Sequence, residues 1–137
     1  MLKNPLNDLP GYALRRAAVA MMTELNARLA DCGLRYSDTG VLVLVGANPG
    51  ISAAALGQEL SVQRANLARL LSGLEQSGLI ERTQLNGKSH AYRLTEKGAA
   101  AAKHAQQIVA RFEDDLTQRV PEAHRAHLLP ALLSLWQ

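Results

Sequence analysis

The chain has 137 residues, 47% of them hydrophobic, which is enough for one compact domain and excludes disorder over most of its length. Its formal net charge of +3 and pI near 9.4 suit a polyanionic partner without requiring one. A single cysteine, Cys32, excludes an intramolecular disulfide and fits a reducing cytosol.

The N-terminal MLKNPLNDLPGY has no apolar core of signal-peptide length, and the runs Ala17–Met22 and Val41–Val45 are too short to span a bilayer. The expectation is a soluble, cytoplasmic protein without a membrane partner. A first helix is predicted from about Asp8 to Ala30, with Ala18, Met22, Leu25 and Leu29 at spacings of three and four. Asp31-Cys32-Gly33 reads as its stop. Ser37 is the expected N-cap of a short second helix through Val41–Val45, closed by the turn GANPG. Ser52 caps a third, Ala53 to Leu60. A fourth, from about Val62 to Gln76, carries the stripe Leu67, Leu70, Leu71 and Leu74 and ends at Ser77-Gly78. Leu79 to Leu85 and Lys88 to Leu94 read as two strands joined by Asn86-Gly87, the favoured pair for a tight hairpin turn. Thr95 caps a long helix to about Thr117, and Pro121 opens a last one ending in LLPALLSLWQ. No internal repeat or separating linker interrupts residues 1–137, so a single domain is expected.

Two short helices, a longer one and a hairpin make a helix-turn-helix with a wing. With the leucine stripe inward, Ala65, Ala68, Arg69, Ser72 and Gln76 turn outward. Small residues there let the helix approach a surface into which longer side chains reach. Major-groove base edges are such a surface: Gln and Asn read adenine, and Arg reads guanine or holds a phosphate. From Ser52 to Arg93, Arg64, Arg69, Arg82, Lys88 and Arg93 outnumber Glu59, Glu75 and Glu81. Arg82 on its strand and Lys88 at the turn tip can both meet the DNA backbone. The same charges also fit an ordinary solvated face.

The run LGQELSVQRANLARLLSGLEQSGLIER…YRLTEKG resembles the MarR family of winged-helix transcriptional regulators. The resemblance is dense from about Tyr36 to Gly98, and the flanking helices match the family's layout. It implies a mainly α fold with a small β-hairpin wing: a DNA-binding lobe over about 36–95 and dimerisation helices over 8–32 and 96–137. It also implies that Gln63, Arg64, Ala65, Asn66 and Arg69 face double-stranded DNA. Ser52, Arg82, Lys88 and Ser89 complete the expected DNA-facing set. The family wing usually carries an Asp-x-Arg-Asp-x-Arg type of sequence whose arginine enters the minor groove. This chain has the shorter LNGKSH, which leaves Lys88 as the only candidate at the tip.

Leu128, Leu129, Leu132, Leu133, Leu135 and Trp136 are more apolar surface than a small lobe can bury. A homodimer through the terminal helices, presenting two recognition helices to a palindromic operator, is the economical answer, and the resemblance implies the same. It further implies a small effector, often a phenolic or aromatic carboxylate, bound between these helices and the DNA lobe. Tyr12, Arg15, Arg16 and Tyr36 are the candidates to hold such an effector or a related thioester, an arginine gripping the carboxylate and a tyrosine stacking or donating. Surface salt bridges and core packing account for the same four residues equally well.

Cys32 as a redox sensor near Arg35, and His124 with His127 as metal ligands, are further inputs; packing and surface exposure explain them more simply. No nucleophile motif, phosphate-binding glycine loop or active-site carboxylate pair is present, so neither an enzyme nor a cofactor is expected. The function expected is a dimeric repressor released by a small ligand. The alternatives are a winged-helix co-regulator acting through protein contacts, or a metal- or redox-responsive regulator.

Overall fold

The computed structural model describes Met1–Gln137. After a 3₁₀ turn at Pro5–Asp8 come α1 (Pro10–Leu29), α2 (Tyr36–Ala47), β1 (Ile51–Ser52), α3 (Ala53–Leu60) and α4 (Arg64–Gln76). Strands β2 (Ile80–Gln84) and β3 (His90–Leu94) follow, then α5 (Glu96–Arg119) and α6 (Glu122–Leu133). The protein is mainly helical with a small antiparallel sheet, as expected. No helix is long and apolar enough to cross a membrane.

Several boundaries differ from the sequence reading. Helix α2 starts at Tyr36 with Arg35, not Ser37, as its N-cap, because the Asp38 carboxylate accepts the Arg35 backbone N–H at 2.8 Å and closes the helix start two residues earlier. Helix α4 starts at Arg64, with Gln63 extended as its N-cap. The hairpin turn is wider than an Asn-Gly pair. Gln84 still faces His90, which leaves residues 85–89 as the loop, closed by Leu85 N–H to Ser89 O and Ser89 N–H to Asn86 O. Gly87 has φ +58° while Asn86 stays at negative φ, so the two-residue type I′ turn is absent. The sheet has a third strand, β1, in the order β1-β3-β2, with Ile51 opposite Tyr92 and Ser52 opposite Ala91. Two residues give no alternation to read, so sequence pattern is silent on it.

The core joins α1, α2, α3, α4, the sheet and α5 around Leu25, Leu29, Val41, Leu42, Val45, Leu56, Leu67, Leu71, Leu74 and Phe112. Of the predicted α1 stripe, Leu25 and Leu29 are buried, whereas Ala18 and Met22 are exposed. No residue of α6 is buried, and Leu129, Leu132, Leu135 and Trp136 all lie exposed, Trp136 by 71%.

The LTEKG segment sets the wing on the rest of the molecule. Thr95 Oγ1 accepts the Gly98 N–H at 2.9 Å, capping α5, and donates to Gly78 O at 2.6 Å. Lys97 Nζ donates to Ser77 O, so the C-terminal end of α4 and the start of α5 are tied directly. Gly98 lies so close to the chain that a β-carbon there would stand 1.8 Å from Leu79 O.

Candidate nucleic-acid interface

Helix α4 buries Leu67, Leu71 and Leu74, which fixes its rotation. Ala65, Ala68, Arg69, Ser72 and Gln76 are then exposed, as the hundred-degree step per residue requires. The small residues leave the helix backbone approachable. Gln63 caps α4 only through its backbone, so no side chain of the cap occupies the first-turn N–H groups.

Between α4 and the hairpin lies a concavity of about 870 Å³. Of the nine predicted DNA-facing residues, Ser52, Arg64, Arg82, Lys88 and Ser89 line it. Gln63, Ala65, Asn66 and Arg69 do not: Gln63 is the extended N-cap ahead of α4, and the same helical step carries the other three to its outer and far faces. The nine are therefore split between the helix crest and the cleft beside it. On the crest, Arg69 Nη2 donates to Asn66 Oδ1 at 2.7 Å, so these two side chains act as a pair. In the cleft, Ser52 Oγ accepts the Ala55 N–H at 3.2 Å as the cap of α3, which leaves its hydroxyl proton free.

Arg82 is engaged differently from the expectation. Its Nε lies 3.3 Å from Glu75 Oε2. Tyr92 stands beside this pair, opposite Arg82 on β3, and its hydroxyl is pushed above the usual phenol range by burial and then by the Glu75 charge. The sequence reading counts Glu75 only as one of three acids; the seven-residue spacing to Arg82 across a helix end and a turn has no simple periodic signature. His90 also lines the cleft, with a buried Nδ1 that has no hydrogen-bond partner.

The four candidate effector residues do not form one cluster within a chain. The Tyr12 hydroxyl accepts from Arg16 Nη1 at 3.2 Å and from Asn4 Nδ2 at 3.4 Å, and these two bonds, Arg16 first, hold it below the usual phenol range. Arg16 also lies over the Tyr12 ring, 5.9 Å from its centre. Arg15 is exposed. Tyr36 is tied elsewhere: its backbone N–H donates to Asn26 Oδ1 at 2.7 Å. Asn26 is fourteen residues beyond Tyr12 on α1, about 21 Å along the axis at 1.5 Å per residue. Asn4 is the member of the Tyr12 cluster that the sequence reading missed, since it lies outside any periodic element.

Cys32 is half-buried and its thiol donates to Leu29 O at 3.1 Å, a packed helix-end residue. His124 and His127 are exposed on α6, and no three His, Cys, Asp or Glu side chains converge anywhere as a metal site would require.

A sequence profile described as the MarR family matches residues 33–88, which run from just before α2 through α4 and β2 into the hairpin turn. The HTH-type transcriptional repressor Rv2887 of Mycobacterium tuberculosis is 32% identical over 106 residues, covering 75% of this chain and 76% of that protein. The chain belongs to the MarR family. The transcriptional repressor CouR bound to a 23-mer DNA duplex superimposes with a TM-score of 0.92 at 34% identity, covering 100% of this chain and 99% of that one. CouR bound to p-coumaroyl-CoA gives a TM-score of 0.90 at the same identity, covering 98% and 97%. As a MarR-family winged helix the protein is a DNA-binding transcriptional regulator and not an enzyme.

Proposed function

We propose that the protein is a homodimeric, cytoplasmic repressor that holds a palindromic operator and releases it on binding a small aromatic effector. The observation that carries this is the surface formed by α4 and the hairpin. Ala65 and Arg69 stand on the outer face of α4, the small residues Ala68 and Ser72 line the adjacent cleft, and Arg64, Arg82 and Lys88 border it. In this reading Gln63, Arg64, Ala65, Asn66 and Arg69 enter the major groove. Lys88 and Ser89 meet the neighbouring backbone, and Ser52 donates to a phosphate from the start of α3. The DNA lobe is then about 36–95, within a single unit of residues 1–137. CouR's complex with a DNA duplex supports the assignment.

Dimerisation rests on the uncovered apolar surface. Leu129, Leu132, Leu135 and Trp136 near the C-terminus, with Leu6, Leu9, Leu14 and Val19 near the N-terminus, are exposed in the single chain. Apart from Leu6 just ahead of them, these lie in the segments 96–137 and 8–32 that would pair across a two-fold axis, and closing that face sets the distance between two recognition helices.

For the effector, Tyr12 and Arg16 are the strongest pair in one chain, because they already form a polar cluster at the N-terminal end of α1. Arg15, beside Arg16 on α1, and Tyr36, at the start of α2, complete the proposed set. An aromatic carboxylate or its thioester is the effector class, supported by the p-coumaroyl-CoA complex of CouR. Binding would shift the population towards dimers whose recognition helices no longer match the half-site spacing.

The test is fluorescence anisotropy on DNA from upstream of the protein's own gene, across a salt series, with wild type and the Arg64→Ala/Arg69→Ala double variant. Tight, salt-dependent binding to one palindromic fragment, lost in the variant, is expected, and p-coumaroyl-CoA or simple aromatic acids are then added as effectors. Binding no tighter than to random DNA would overturn the reading and favour a protein-contact role.

A further inference from the structure

Glu75 is the only acidic side chain that lines the cleft between α4 and the hairpin. A carboxylate facing a polyanion weakens binding by like-charge repulsion, so its presence there asks for another role. Its partner is Arg82, at 3.3 Å, and the pair joins two separate elements, the recognition helix and the first strand of the wing. Arg82 sits opposite Tyr92 in the β2–β3 ladder, so both side chains stand on the sheet face that meets α4. Tyr92 is only 5% exposed, and its backbone carbonyl accepts the Gly50 N–H at 2.9 Å, next to β1. The flexible guanidinium is thus held against a rigid base, while 52% of the Arg82 side chain remains open to the cleft.

We propose that Glu75 is a positioning residue for DNA binding: by holding Arg82 it fixes the wing against the recognition helix and withholds one cationic charge from phosphate. The proposal rests on the DNA-binding reading above. Its consequence is selectivity. An arginine left free would take a phosphate on any sequence, since phosphate contacts carry no sequence information. Held by Glu75, it contributes little to indiscriminate binding, and helix and wing meet DNA as one body whose fit depends on groove shape. A partly exposed ion pair adds little to folding stability, so the effect belongs to binding.

The experiment compares wild type, Glu75→Gln, Arg82→Gln and the double variant on the palindromic fragment and on a scrambled duplex across a salt series, with thermal unfolding of each. Glu75→Gln is expected to bind scrambled DNA more tightly, with a salt slope steeper by roughly 0.9 as Arg82 gains one phosphate. The ratio of palindromic to scrambled affinity should fall about tenfold, a loss similar in size to one mismatched base pair. The double variant should lose the added slope, which assigns it to Arg82. A wild-type slope and ratio in Glu75→Gln would overturn the proposal. So would a parallel loss on both duplexes with a lowered Tm, which would make Glu75 a folding residue only. Wild type failing to distinguish the two duplexes would instead overturn the DNA-binding reading itself.

Discussion

Arg119 grips Glu24 through both terminal nitrogens, at 2.6 and 2.7 Å, and so closes the end of α5 onto the C-terminal half of α1 across most of the chain. Arg28 extends the contact, reaching Glu24 and Asp115 at 2.8 Å each and lying 5.3 Å from the centre of the Phe112 ring. Two arginines and two acids therefore set how the N-terminal helix crosses the long fifth helix, the same two elements proposed to face the partner subunit.

This network predicts a defined acid response. The guanidinium of Arg119, and after it that of Arg28, holds the Glu24 carboxyl at about 2, against an ordinary value of 4.5. A depressed folded-state pKa stabilises the fold fully above the unfolded value, and the contribution is lost as pH falls from about 4.5 to about 2. Glu24→Gln should therefore lower Tm at pH 7, with the difference from wild type vanishing towards pH 2. Thermal unfolding across pH in low salt measures it, and the neutral-pH difference should shrink as salt rises.

Gly98→Ala should be severely destabilising. The added β-carbon would stand 1.8 Å from a backbone oxygen, that of Leu79, so no side-chain rotation relieves it. The expected loss is about 3 kcal/mol or more by urea unfolding. Gly73→Ala is the control: its β-carbon meets nothing within 4 Å, and replacing an interior helical glycine should stabilise by about 0.5–1 kcal/mol.

Thr95→Ala removes the acceptor for the Gly98 N–H and the donor to Gly78 O together. A lost N-cap costs about 1 kcal/mol, and the orphaned carbonyl adds to it. Thr95→Ser keeps both bonds and should restore most of the stability, measured by the same denaturant titration.

A charge on α6 tests the dimer. Leu129 and Leu132 are exposed in the single chain, so Leu129→Lys/Leu132→Lys should leave the protomer folded by circular dichroism. Sedimentation should then report a monomer, and affinity for a two-half-site duplex should fall towards that for a half site.

Lys88→Ala and Arg69→Ala should separate backbone contact from base reading. Removing Lys88 at the wing tip should weaken binding to all sequences alike and reduce the salt slope by roughly 0.9. Removing Arg69 should cost about 1–3 kcal/mol on the preferred site and relax selectivity there. Anisotropy on matched and mutated duplexes reads both.

Most helices were legible because their stripes are strong: Leu67, Leu71 and Leu74 at helical spacing are buried where the period puts them, and Ser52 and Thr95 cap the helices they precede. The hairpin was legible in its strands but not in its turn, because Asn86-Gly87 gives the same local signal whether two or five residues form the loop. The candidate site was legible only in part. Periodicity separates the outer face of α4 from its core face, and so finds Arg69 and the small residues around it. It cannot report that Glu75 meets Arg82, or that Asn4 folds back on Tyr12. Those contacts are made between elements, by side chains whose own segments carry no sign of the partner.

The capping of α5 by Thr95 also makes that helix a lever. Its 24 residues span about 36 Å from the wing to the turn before α6. At that radius a tilt of about 5° sweeps the far end through roughly 3 Å, so a small rocking at the terminal helices becomes a large change in reach at the wing. The joint at the wing end is stiff, since Thr95, Lys97 and Gly98 pin the helix to the end of α4. The recognition helix is therefore geared to whatever moves α5, and an effector need not touch DNA-facing atoms to change where they point.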